Sequence, residues 1–224
     1  MADGDLKKKV LQYVKARDKK QIGSGECFDL ADEALRNSGA KTAADFGRVT
    51  KDADYIWGTE IKNLTRVQPG DVLQFRDHKA TVTTSRSVKL AFPDGSWLEY
   101  ETFNTRTFKR GHHTAVAASS ARDGKITVFE QHVMRGKKIV DKRAGLGIVY
   151  MSSKDHEPKE STERIKIDQA WAKELGSIYR KAQDRKRVDQ IAKKYNGKSL
   201  QATVVTKTST TVSGTLRAFQ PQSR

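Results

Sequence analysis

Apolar residues recur at helical spacing near the start of the chain and at alternating spacing through its middle. Leu6, Val10, Leu11 and Val14 fall on one side of a 3.6-residue period, which predicts an amphipathic helix over residues 5–18. A small, flexible run, Gly23-Ser24-Gly25, breaks the pattern. A second helix is predicted from about Glu26 to Asn37. Phe28, Leu30, Ala31, Ala34 and Leu35 are its apolar positions, and Gly39 is its C-terminal stop. Asp29, Asp32 and Glu33 place negative charge in its early turns, where the helix dipole favours it. Residues 40–68 read as mostly irregular around the aromatic cluster Tyr55-Ile56-Trp57.

Strand signals then take over. Pro69-Gly70 punctuates the chain before Asp71-Val72-Leu73-Gln74-Phe75, and Val82–Thr84 either continues that strand or begins another. Val88–Phe92 and Trp97–Phe103 flank a Pro-Asp-Gly-Ser turn and predict a hairpin. His113–Ser119 and Ile126–Gln131 flank Ala121-Arg122-Asp123-Gly124 in the same way. Ile139-Val140 is a weaker strand signal, and Gly147–Met151 is a further strand. Polar residues 152–164, with Pro158, read as a linker. Residues 167–195 carry Trp171, Leu175, Ile178, Ala182, Val188, Ile191 and Tyr195 at helical spacing and predict a long basic helix. Leu200–Thr206 and Val212–Phe219 close the chain as two strands. Helices first and an antiparallel sheet after argue an α+β fold, with N-terminal helices packed on the sheet and a C-terminal basic helix plus two strands beyond it. The expected division is one domain over residues 1–151. Residues 152–224 form a second piece whose closing strands either return to the same sheet or build a separate lobe.

Composition narrows the partners more than the fold. A formal net charge of +16 over 224 residues favours anionic polymers or surfaces. Arg180, Lys181, Arg185 and Lys186 on the basic helix are the expected anion-binding residues. No apolar run is long enough to span a bilayer, and the first residues lack the apolar core of a signal peptide. As written, the sequence reads as cytoplasmic, with export only by another route. Mean hydropathy is −0.73.

The single cysteine, Cys27, excludes an intrachain disulfide and leaves a free thiol. It stands where the Gly-Ser-Gly run feeds a helix start. Backbone N–H groups there favour negative charge and lower a thiol's pKa. His113 is the best base, with His112 its neighbour and competitor. An even-numbered turn through Ala121–Gly124 places Glu130 on the same sheet face as His113, where it can hold the second imidazole nitrogen. The Cys27 backbone N–H is the default oxyanion donor. Gln21 and His132 are supporting residues. Cys27, His112, His113 and His132 match no standard zinc spacing, so neither metal nor cofactor is expected.

Four pieces in order resemble the CHAP and NlpC/P60 group of papain-fold amidases and peptidases: Gly25-Glu26-Cys27-Phe28-Asp29-Leu30, Pro69-Gly70-Asp71-Val72-Leu73-Gln74-Phe75, His113-Thr114-Ala115-Val116 and Val128-Phe129-Glu130-Gln131-His132. They span roughly residues 20–135. His132 departs from the pattern, which usually has asparagine there. Gln21 precedes Cys27 by the spacing such enzymes use for an oxyanion donor. The resemblance implies a cysteine hydrolase that cleaves an amide bond, peptidoglycan or peptide, through a thioester on Cys27. The alternative is a catalytically silent papain-fold module whose basic helix binds an anionic partner.

Overall fold

The computed structural model describes residues 3–50, 53–91, 95, 97–132, 147–156, 158–167, 190, 193 and 200–224. Among the described residues, antiparallel strand is the commonest structure, at 47% against 20% helix. Two described helices, α1 (Asp3–Lys15) and α2 (Cys27–Asn37), precede every strand. The strands are β1 (Thr59–Glu60), β2 (Val72–Ala91), β3 (Trp97–Arg110), β4 (His113–Ala117), β5 (Lys125–Glu130), β6 (Ile148–Tyr150), β7 (Lys159–Ile167) and β8 (Leu200–Gln220). The chain divides into two compact units.

The first unit comprises residues 1–82, 106–157 and 210–224. Its strands follow the order β1-β8-β2-β4-β5-β6. Register is set by alternation. Val72, Val116 and Phe129 point to one face, where they join Leu6, Val10 and Val14 of α1 and Leu30, Ala31, Ala34 and Leu35 of α2 in one core cluster. Leu73, Phe75, Ala115, Ala117 and Val128 point to the other face and pack with Ile126, Val149 and Ala218. β2 pairs with β4 (Leu73 opposite Ala115, Phe75 opposite His113), and β4 pairs with β5 (Ala115 opposite Glu130).

The Pro-Gly-Asp motif ties α1 to this sheet. Gly70 sits at φ +91°, and a Cβ there would overlap the Lys7 carbonyl. Lys7 Nζ reaches the buried Asp71 Oδ1 at 2.8 Å, and the Gln68 N–H donates to Asp71 Oδ2 at 2.8 Å. Burial pushes the Asp71 carboxyl up, against the opposing pull of Lys7 and Gln68.

The second unit comprises residues 83–105 and 158–209. β7 lies antiparallel to the first half of β8, from Lys159 opposite Thr208 to Ile167 opposite Leu200. Threonine hydroxyls meet across strands here, Thr83 with Thr105 at 3.3 Å and Thr84 with Thr208 at 3.4 Å.

Three sequence expectations are corrected. The expected α+β fold gives way, among the described residues, to one dominated by long antiparallel strands, with 20 residues in β2, 14 in β3 and 21 in β8. The second part of the linker expected over residues 152–164 is strand: residues 159–164 belong to β7, because the β8 ladder satisfies their backbone while Lys159, Glu160, Glu163 and Arg164 stay in water. The two closing strands are one, since the polar run Lys207-Thr208-Ser209-Thr210-Thr211 is rich in β-branched threonine and continues the ladder. The basic-helix expectation, with Arg180, Lys181, Arg185 and Lys186, and the Ile139-Val140 strand signal fall outside the described residues. No described helix is long and apolar enough to cross a membrane.

Candidate functional site

The site is built where the start of α2 meets the starts and ends of β4 and β5. Asp29, in the first turn of α2, gathers the loop before it. Its Oδ2 accepts from Ser24 N (2.8 Å), Ser24 Oγ (2.7 Å) and Glu26 N (3.3 Å). Gly23, at φ +55°, leaves room for that carboxylate, and an added Cβ would meet it at 2.8 Å. Gln131, fully buried just past β5, holds the same loop from the sheet side. Its amide nitrogen donates to Ile22 O (2.9 Å) and Glu26 O (2.8 Å), and its oxygen accepts from Ile22 N (2.8 Å). These contacts fix Cys27 as the first residue of α2, where helix geometry leaves the backbone N–H without an intrahelical partner.

His113 opens β4 and is buried, side by side with Phe75. It hydrogen-bonds the Cys27 thiol on one side. On the other, His113 Nε2 lies 3.4 Å from Glu130 Oε1, a charge contact without the alignment of a hydrogen bond. With Nε2 turned to Glu130, Nδ1 is the nitrogen that faces the thiol.

The electrostatics follow from this chain of three. Burial pushes the Cys27 thiol up, but the hydrogen bond and positive charge of His113, together with the Thr114 backbone, overcome it and hold the thiol below its ordinary value. Burial alone would depress the His113 imidazole. Its bonds to Cys27 and Glu130 instead raise it from 6.5 to about 9. Burial would raise Glu130, yet His113 and Arg110 hold it below the usual carboxylate range. A thiolate–imidazolium pair is the protonation state this arrangement favours.

Arg110, at the end of β3, is the residue that sequence reasoning missed. Its Nε donates to Glu130 Oε1, its Nη2 donates to Glu130 Oε2 at 3.0 Å, and both side chains are buried. Nothing in the local pattern separates Arg110 from its basic neighbours Arg106 and Lys109. Only the side-chain contact between the ends of β3 and β5 reveals it.

Beside Cys27 lies a cavity of about 580 Å³, lined by Cys27, His113, Thr114, Phe28, Tyr55 and His112 among others. The Phe28 and Tyr55 rings meet edge to face at 4.9 Å between centroids, and His112 tilts against Tyr55 at 5.0 Å. His132 lies at the edge of the same loop, its Nδ1 2.7 Å from Glu26 Oε2. Its backbone is left-handed, at φ +62°. Asparagine, aspartate and histidine tolerate that geometry best among residues with a side chain. Gln21 is not brought to the cavity: it is exposed, and its amide donates to Gly23 O at 3.1 Å. The structure thus brings Cys27, His113 and Glu130 together, places His132 beside them, and leaves Gln21 apart. Among the described residues, no group of three or more His, Cys, Asp or Glu is placed to hold a metal ion.

A family model, the AIM3/BBC1 cysteine proteinase-fold domain, matches residues 2–146. No curated protein and no solved structure matches the chain. The match supports the papain-like fold and does not single out the CHAP and NlpC/P60 group.

Proposed function

The chain belongs to the AIM3/BBC1 cysteine proteinase-fold domain family, and from that premise we propose that it is a cysteine hydrolase of amide bonds, acting through a thioester on Cys27. The observation that carries the reading is the chain Cys27–His113–Glu130, a hydrogen bond on one side of the imidazole and a charge contact on the other, set at a helix start beside an open cavity. In this reading the Cys27 thiolate attacks the carbonyl carbon, and negative charge develops on the carbonyl oxygen. The Cys27 backbone N–H, at the positive end of α2, is the nearest donor for that oxygen. His113, protonated in the resting pair, gives its proton to the leaving amine as the C–N bond breaks and the thioester forms. A water then attacks the thioester. His113 takes its proton, the C–S bond breaks, the carboxylic acid leaves and the thiolate returns. Glu130 stabilises the imidazolium and fixes the ring.

The aromatic wall formed by Phe28, Tyr55 and His112 suits an apolar group next to the scissile bond. The finer likeness to CHAP and NlpC/P60 amidases rests on the four sequence motifs and makes peptide and peptidoglycan amides the two substrate classes to compare. The test is turnover of fluorogenic peptide amides and of peptidoglycan fragments by the wild type, Cys27→Ala and His113→Ala. The reading expects turnover of one class, lost at least about a hundredfold in each variant, and a covalent adduct of a peptide nitrile on Cys27. If neither class is turned over and the nitrile does not react, the cavity binds without chemistry, and the silent binding module replaces the hydrolase.

A further inference from the structure

The buried Arg110 is not accounted for by a Cys–His–carboxylate mechanism. A solvated strand end would leave an arginine in water. Here the guanidinium is withdrawn from solvent, with 4% of its side chain exposed. It forks onto both oxygens of a carboxylate that is 1% exposed, donates to Ile148 O at 3.4 Å, and lies over the Phe75 ring with 5.4 Å between guanidinium carbon and ring centroid. Withdrawing two charges from water is costly, and a surface pair would hold β3 to β5 as well. Glu130 Oε1 is also the oxygen that faces His113 Nε2. One carboxylate oxygen therefore serves both cations, and the other is held by Arg110.

We infer that Arg110 is a positioning residue for the Cys27–His113 pair: its two-pronged grip keeps Glu130 ionised and turned toward His113. This rests on the proposed roles of Cys27 as nucleophile and His113 as base. Without a second cation, the buried proton has two comparable places to sit. It can stay on His113, leaving a carboxylate, or move to Glu130 and leave two neutral groups, which a low-dielectric site favours. Arg110 touches Glu130 and reaches His113 only through it, so it stabilises the ionised arrangement. The groups facing Glu130 are Arg110 from β3, His113 from β4 and, more distantly, His78 from β2. His78 has its own Nε2 on Tyr150 O at 2.9 Å, and burial holds its pKa down, so it adds no charge at neutral pH. From α2, Cys27 faces His113 on its other side. A bidentate fork is a geometry lysine cannot reproduce.

The test is the titration of His113, followed by NMR of histidine-labelled full-length protein, in the wild type, Arg110→Met and Arg110→Lys. The rate of Cys27 alkylation is measured on the same samples. In the wild type, His113 is expected to remain an imidazolium through neutral pH. In Arg110→Met the imidazolium signal at pH 7 is expected to give way to the neutral ring, and alkylation at pH 6 to fall about tenfold or more, the effect of one pKa unit. Arg110→Lys keeps the charge and loses the fork, so it is expected to restore the imidazolium without restoring the full alkylation rate. An Arg110→Met protein that melts cooperatively and leaves the His113 titration where it was overturns the inference. If Arg110→Met does not fold, Arg110→Lys decides: wild-type titration and wild-type alkylation together overturn it as well. A wild-type Cys27 that alkylates like an ordinary thiol, while His113 still responds to Arg110, refutes the hydrolase reading and leaves Arg110 assigned to the His113–Glu130 pair.

Discussion

Gln131→Met tests how the sheet holds the nucleophile. The substitution nearly conserves volume but removes the three hydrogen bonds that Gln131 makes to the loop before α2. The Ile22 N–H, on a residue 2% exposed, then loses its acceptor, while the Ile22 carbonyl keeps the Gly25 N–H at 3.0 Å. A buried polar group left unpaired costs about 1–3 kcal/mol. The Glu26 carbonyl, at the N-cap of α2, keeps the intrahelical bond that position accepts, so the Ile22 N–H carries the loss. The expected destabilisation is about 2 kcal/mol, or a fall in Tm of roughly 6 °C for a protein of this size. Thermal unfolding by circular dichroism reads it directly. A second consequence follows at the site: a loosened loop lets the start of α2 drift from His113, so the Cys27 alkylation rate at pH 7 should drop before the protein melts. A Gln131→Met protein that melts within about 2 °C of the wild type, with unchanged alkylation, would refute the claim that this side chain positions Cys27.

Gly70→Ala forces a Cβ into the Lys7 carbonyl at a left-handed backbone position. It should cost at least about 2 kcal/mol, read as a lowered denaturant midpoint with an unchanged slope. His132→Asn should fold like the wild type, whereas His132→Val, a β-branched residue at φ +62°, should melt several degrees lower. The buried pair also sets a pH window. The His113 pKa is raised from 6.5 to about 9 in the folded protein, so its stabilisation is complete below 6.5 and lost as pH rises through about 9. Glu130 is lowered, so its stabilisation is present above its ordinary 4.5 and lost as pH falls below that. The Tm difference between the wild type and His113→Ala should therefore be largest between these limits. A difference that does not vary with pH contradicts the ion pair.

The parts of this fold legible in the sequence are those where one local pattern decides. The period of Leu6, Val10 and Val14 and the Gly-Ser-Gly break give both described helices to within a few residues. Alternation through Val72–Phe75, His113–Ala117 and Ile126–Glu130 gives the strands that carry the site. The sequence misleads where tertiary pairing overrides local polarity. Lys159-Glu160-Ser161-Thr162-Glu163-Arg164 has no apolar face, and its strand exists because β8 completes its backbone hydrogen bonds. The threonine run in β8 reads as a break by hydropathy and as strand by stiffness. At the site, Cys27, His113 and Glu130 can be paired from spacing and sheet parity. Arg110 cannot, because its role depends on a contact between two strand ends 20 residues apart in sequence. Gln21 shows the reverse: its spacing suits an oxyanion donor, but its exposed side chain finds the nearer carbonyl of Gly23, two residues on and in the left-handed region.

The central claim is that Cys27 is an activated nucleophile paired with His113. Its most direct test is the rate of Cys27 alkylation by iodoacetamide against pH, in the wild type and in His113→Ala. The single cysteine makes the readout unambiguous. A rate that follows a thiolate titrating well below the free value of about 8.5, and that moves up toward it in His113→Ala, is the predicted result. A thiol that titrates at the ordinary value in both proteins would contradict the claim.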